Sequence, residues 1–213
     1  MEGGGVMAYQ SIIEQRGSVG FPAFNPEKIY MRAFRKAEGL PCDIRHWQST
    51  VDQMLDGIEV DGQIYLMVDS AHVAAGESHR RAGIHIDGYW NPALQAHGNP
   101  GHGGSPGHGG TPWPSRHSSG GYSWQQPDFT TPEAILLASN VQTACGYVGE
   151  YAGAIGDGGD CSAVDIAALS AVPMESGRIY AGNVSFLHES LPVAHDCARS
   201  LVRLNIPGWT PSQ

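Results

Sequence analysis

After Glu59 the chain is cut into short apolar runs by turn residues, and that punctuation limits what it can fold into. Ile64-Tyr65-Leu66-Met67-Val68 has the length of a buried strand and is too short for a stable helix. Comparable runs follow at Ala134-Ile135-Leu136-Leu137-Ala138, at Ala144-Cys145-Gly146-Tyr147-Val148, over Asn183–His188 and over Arg199–Leu204. Turn formers such as Gly156-Asp157-Gly158-Gly159-Asp160 and Glu175-Ser176-Gly177 separate them. Many short strands in series predict an antiparallel sandwich or barrel. Composition agrees: 29 glycines, 14 prolines and 15% charged residues describe a loop-rich β protein, and 41% apolar residues supply its core.

The segment before Glu59 reads differently. Residues 1–25 carry weak signals. Pro26-Glu27 predicts the start of a short helix over 26–38 with Ile29, Tyr30, Ala33 and Phe34 inward. Asp43 is the expected N-cap of a second helix, in which Ile44, Trp47, Val51, Met54, Leu55 and Ile58 recur at helical spacing. The spacing also allows a short helix over 163–170. The expectation is one domain over 1–213, mainly β, with 1–60 as N-terminal helical support and the core over 61–206.

Residues 88–130 break the pattern. Pro100-Gly101-His102-Gly103-Gly104 and Pro106-Gly107-His108-Gly109-Gly110 form a short repeat, and charged residues are nearly absent. Such a composition cannot build its own core, so the segment is expected to be an insertion or long loop within the domain. Its histidines read as polar spacers, with a second metal site as the less favoured reading.

The net charge of −9 argues against a duplex nucleic-acid partner, which calls for a basic face. A small molecule or a peptide fits better, and homo-oligomerisation is left open. The four cysteines (Cys42, Cys145, Cys161, Cys197) make no CxxC pair, so a structural zinc site is not expected. No signal-peptide pattern and no membrane-length apolar stretch is seen. The expectation is a cytoplasmic chain with reduced thiols and no membrane partner.

Chemistry concentrates in one strand-like stretch. In Ala82-Gly83-Ile84-His85-Ile86-Asp87 the residues alternate, so Ile84 and Ile86 take one face while His85 and Asp87 share the other. His188, in His188-Glu189-Ser190-Leu191-Pro192, would complete two nitrogens and one carboxylate. That set suits non-haem Fe(II) with open positions, and zinc would accept it too. HxD alone is a weak signal in a chain with ten histidines. Arg199 lies eleven residues beyond His188, where an antiparallel return would bring it back to the site. A guanidinium holds a carboxylate through two parallel bonds, which makes Arg199 the preferred anchor for an anionic cosubstrate. Arg203, on the same strand face, is the alternative anchor. Arg80 and Arg81 read as surface pairs, and His72 and His79 as exposed turn residues. A Ser190–His195–Asp196 triad is disfavoured, because no GxSxG elbow is present.

With these residues in place, the chain resembles the 2-oxoglutarate- and Fe(II)-dependent oxygenases, in their prolyl-hydroxylase-like branch. The resemblance covers roughly residues 60–206 and rests on His85-Ile86-Asp87, on His188-Glu189-Ser190-Leu191-Pro192-Val193 and on Arg199. Gly177–Asn183 and Gly149-Glu150-Tyr151 are also similar to that family's strands. The stretch after the HxD strand is longer here than in the family. The resemblance implies a double-stranded β-helix (jelly-roll, cupin-like) core, with Fe(II) on His85, Asp87 and His188. It further implies 2-oxoglutarate on the metal with its distal carboxylate on Arg199, and dioxygen as the other cosubstrate. The implied reaction couples decarboxylation of 2-oxoglutarate to hydroxylation of a small-molecule or peptidic substrate. Tyr89, Trp90, Trp113 and Trp124, which begin right after Asp87, are the expected substrate wall or lid. Two other readings stay open: a non-catalytic jelly-roll binding or assembly module with a vestigial metal site, and a cupin-like metalloenzyme without cosubstrate.

Overall fold

The computed structural model describes residues 8–89, 131–156 and 159–212. Their elements are β1 (Ala8–Ser11), β2 (Ile13–Ser18), β3 (Glu27–Phe34), a 3-10 helix (Cys42–Trp47), α1 (Gln48–Met54) and β4 (Ile64–Val73). After the undescribed stretch come β5 (Glu133–Ser139), β6 (Ala144–Ala152), β7 (Ser170–Pro173), β8 (Arg178–Asn183), β9 (Leu187–Ser190) and β10 (Cys197–Pro207). The strands form two antiparallel sheets, one of six strands in the order β2-β8-β5-β10-β4-β3 and one of four. In the smaller sheet β6 is flanked by β1 and β7, and β9 also pairs with it.

The central strand β10 shows why the large sheet forms. Its even residues Val202 and Leu204 stand beside Val68 and Leu66 of β4 and Ala138 and Leu136 of β5. All of these join one apolar cluster with Trp47, Val51, Met54 and Leu55 of the helical segment. Seven residues are too few to hold α1 in water, so its stability comes from this packing. Each such side chain contributes about 1.5–3 kcal/mol when fully buried. The odd residues of β10, Arg199, Leu201 and Arg203, point the other way, into the space between the sheets. There Ile135, Leu137, Tyr180 and Phe186 form a second cluster.

After β4 the chain alternates between the sheets. The segment around His85 bridges to β9 of the small sheet, β5 returns to the large one, and β6 and β7 lie in the small one. Then β8 is in the large sheet, β9 in the small and β10 in the large.

The N-terminal part departs from the sequence reading. Residues 1–60 were expected to be a helical support, yet the described part carries β1, β2 and β3 and only one short α-helix. The helix expected over 26–38 is strand β3, paired with β4. A bulge between Ile29 and Arg32 inserts one residue, so Ile29 and Phe34 both reach the apolar cluster across an odd interval. That interval mimics helical spacing. The second helix is present in shorter form, and Asp43 does not cap it: the 3-10 turn starts after Pro41 with no side-chain cap, while Asp43 pairs with Arg32. No helix forms over 163–170, where turns lead into β7. The run Asn183–His188 is split between β8 and β9 by a turn. All four cysteines are free thiols. Among the described residues no helix is long and apolar enough to cross a membrane. The insertion expected over 88–130 lies, beyond Tyr89, outside the described residues.

Candidate metal centre

His85 and His188 meet through their backbones. Each donates its N–H to the other's carbonyl at 3.0 Å, a bridge that joins residues about a hundred positions apart. On its other side the segment is fixed by Ile86 N–H to Gly159 O and by Cys161 N–H to Ile84 O. The expected alternation holds: Ile86 and Leu187 pack with Tyr151, Cys161 and Val164 on one side, so His85, Asp87 and His188 turn to the other. Gly83 and Gly88 bracket the segment at φ 84° and 64°, backbone angles that a side chain would strain.

The three candidate ligands converge. Their nitrogen and oxygen atoms all lie within 4.8 Å of one another, and the imidazole centroids are 4.4 Å apart. Nδ1 of His85 donates to the Gly83 carbonyl at 2.8 Å, and Nδ1 of His188 to the Phe186 carbonyl at 3.1 Å. These bonds fix the tautomer, so both Nε2 atoms keep a lone pair for a metal. Nε2 of His188 faces Asp87 Oδ2 at 3.6 Å. Burial lowers both histidine pKa values, that of His85 to about 3 with further push from His188. Both rings are therefore neutral at neutral pH, the state that binds metal. Burial alone would raise the Asp87 pKa. The Arg203 guanidinium, then His188 and His85, hold it well below the usual carboxylate range, so the oxygens are anionic.

The His188 ring has a built seat. Phe186 is fully buried and stacks on it at 5.1 Å and 14°. Gly146 and Gly182 make room for that phenyl ring, because a Cβ at either position would overlap it, at 2.6 Å in the case of Gly146. The signal for this seat in the sequence is limited to two glycines inside strand-like runs, a pattern that marks close approach.

The cavity beside the triad runs between the sheets and is lined by Arg199, Arg203 and Arg80 as well as by apolar Leu137, Leu201 and Met67. The two candidate anchors differ in what they already hold. Arg203 gives Nη1 to Asp87 Oδ1 at 2.7 Å and Nη2 to the Met31 sulfur at 3.4 Å. Arg199 is 1% exposed and, among the described residues, bonds only Ser139 Oγ through Nε and has no partner for Nη1. Burial, with like charge from Arg80, lowers its pKa to about 10, so it stays cationic. Asp69 favours the charge without offsetting the burial, and a further anion in the cavity would offset more of that cost.

Around this core, one expected surface residue proves internal. His79 has a side chain only 7% exposed and bonds Asp69 at 3.2 Å, contrary to its reading as an exposed turn residue. Arg80 does pair, with Asp69 at 3.0 Å, but does so at the cavity wall. Asp69 was overlooked because it ends an apolar strand run, although an acid there is itself the signal of a buried network. His195 and Asp196 are exposed while Ser190 is buried, and Asp196 accepts the Ala75 N–H, which leaves no triad. Of the expected substrate wall, Tyr89 is buried at 3% and is not among the described residues lining the cavity. Trp90, Trp113 and Trp124 lie outside the described residues. Set against family models, curated proteins and solved structures, the chain matches none of them.

Proposed function

We propose that this protein is a non-haem iron oxygenase that couples oxidative decarboxylation of 2-oxoglutarate to hydroxylation of a small-molecule or peptidic substrate. The observation that carries the reading is the pairing, in one cavity, of a His-Asp-His group with a buried arginine whose Nη1 has no partner among the described residues. Two neutral nitrogens and one carboxylate leave open positions on a divalent ion, as the facial iron triad requires. The alternation of strands between two sheets from β4 to β10 supports a double-stranded β-helix core.

In this reading His85, Asp87 and His188 hold Fe(II), which supplies dioxygen activation when bound. Arg199 binds the distal carboxylate of 2-oxoglutarate, and Ser139 orients its guanidinium through Nε. Leu137, Leu201 and Met67 exclude water along the cosubstrate, which strengthens that ion pair. The backbone bonds on both Nδ1 atoms keep the histidines from turning away from the ion.

Fe(II) and 2-oxoglutarate added without oxygen should each raise the thermal midpoint and together give a weak visible charge-transfer band. With oxygen, succinate should form, and His85→Ala or Asp87→Ala should abolish it. If neither ligand stabilises the protein, the oxygenase reading falls and a non-catalytic binding or assembly module with a vestigial metal site takes its place. Succinate production that survives both substitutions would remove the triad from the assignment.

A further inference from the structure

The bulge in β3 and the last strand meet behind Asp87. Ile29 stands opposite Val68 and Arg32 opposite Leu66, so three steps along β3 match two along β4. Without the extra residue Met31 would fall opposite Leu66 and join the helix-covered face. With it, Met31 turns inward, at φ 46°, the one non-glycine residue at positive φ among the described residues. It packs with Met67 and Tyr65 and places its sulfur 3.4 Å from Nη2 of Arg203. Positive φ at a long side chain persists only where surroundings over-determine it, and such outliers cluster at functional sites.

The Asp87 carboxylate is divided between two neighbours. Oδ1 is held by Arg203 Nη1 at 2.7 Å, while Oδ2 is the oxygen facing His188 Nε2. We infer that Arg203 is a positioning residue for Asp87, holding Oδ1 so that Oδ2 alone is presented to the metal, and that the β3 bulge seats it through Met31. The assignment rests on the metal reading of the site. It also separates two arginines on one strand face. Arg203 already gives Nη1 to Asp87 and Nη2 to the Met31 sulfur and leaves Nε without a partner, whereas among the described residues Arg199 gives only Nε, to Ser139, and leaves Nη1 without one. Groups that orient a metal ligand set affinity and coordination mode without touching the ion.

The test is Co(II) binding, read from its visible absorption, alongside the 2-oxoglutarate requirement for succinate formation. Arg203→Lys should weaken Co(II) binding about 10–100-fold and change the spectrum, with the 2-oxoglutarate KM at saturating metal moved less than about 3-fold. Met31→Leu keeps the ion pair and the volume, and should weaken Co(II) binding about 3-fold. Arg199→Met should do the reverse, raising the 2-oxoglutarate requirement and leaving the Co(II) affinity and spectrum in place. A wild-type protein that takes up no Co(II) overturns the metal reading and this inference with it. Wild-type binding matched by both Arg203→Lys and Met31→Leu, in affinity and spectrum, overturns the inference alone. So does a rise in the 2-oxoglutarate KM for Arg203→Lys at unchanged Co(II) affinity, which would make Arg203 the anchor.

Discussion

The outer and inner faces of the six-stranded sheet are drawn from alternate residues of the same strands, so they differ in side chains alone. On the outer face Leu66 and Val68 of β4 and Val202, Leu204 and Ile206 of β10 meet the helical segment in an apolar cluster. The polar pair there, Ser70 and Ser200, is satisfied by its own bond at 2.9 Å. On the inner face, one residue away in each strand, stand Asp69, Arg199 and Arg203, all buried. A sheet buried on both faces needs only apolar residues. In β4 and β10 the buried charges stand on the inner face alone, where they cost stability that apolar residues would not.

The largest effect should come from the outer face and leave the chemistry intact. Leu204 is fully buried there, and Leu204→Ala should cost about 2–5 kcal/mol of unfolding free energy, measured by urea titration. The folded fraction should still bind Co(II) with wild-type affinity. A loss of affinity as large as the loss of stability would mean that the two faces are not independent.

The inner face should respond to acid instead. Burial pushes the Asp69 carboxyl up, but His79, by its hydrogen bond and charge, then Arg80 and Lys28, bring its pKa from 3.8 down to about 2. Above pH 3.8 the carboxylate is charged in both folded and unfolded chains and the network contributes in full. As the pH falls from 3.8 towards 2 the unfolded chain takes up the proton first, so stability declines. The loss is on the order of 2 kcal/mol, and Asp69→Asn should remove that part of the slope between pH 4 and 2. An unchanged slope in Asp69→Asn would place the acid sensitivity elsewhere.

The glycines beneath Phe186 link packing to the metal. Gly182→Ala puts a methyl group into the phenyl ring, an overpacking worth about 1–3 kcal/mol. Since Phe186 both stacks on His188 and accepts its Nδ1–H, the strain should reach the ligand, and Co(II) affinity should drop along with stability. Here the contrast with Leu204→Ala is sharpest, since a similar or smaller loss of stability should now carry a loss of binding. Retained affinity in Gly182→Ala would show that the seat does not hold the ring.

The triad was legible because alternation is local: His85 and Asp87 share a face whatever the rest of the chain does, and Ile84 and Ile86 declare the other. Arg199 lines the same cavity as His188, but not by the expected antiparallel return, since β9 pairs with β6 in one sheet and β10 with β4 and β5 in the other. The different surroundings of Arg199 and Arg203 were not legible, because Met31 lies far off in sequence and reaches Arg203 only through a bulge. The same bulge disguised β3 as a helix, since one inserted residue converts period two into an interval that period 3.6 also fits. The misreading of His79 as exposed, and the silence on Asp69, have a related cause. Burial of a turn histidine depends on which acid the tertiary fold brings to it, and no local pattern records that.

The smallest effect has the opposite sign. Arg199 is a buried cation whose Nη1 meets no partner among the described residues, so in the ligand-free protein it should destabilise the cavity in which it lies. Arg199→Met keeps much of the length, removes the charge and suits neighbours such as Leu201 and Leu137. The variant should unfold about 1 kcal/mol later than wild type in the absence of ligand. It should also lose the response to 2-oxoglutarate, which in wild type at about a hundred times Kd would add about 2.7 kcal/mol. Ligand-free stability would then favour the variant, and saturation with 2-oxoglutarate would reverse the order. A variant less stable than wild type without ligand would mean that Ser139 and the surrounding dipoles already compensate the charge, and the case for an anion at Arg199 would weaken with it.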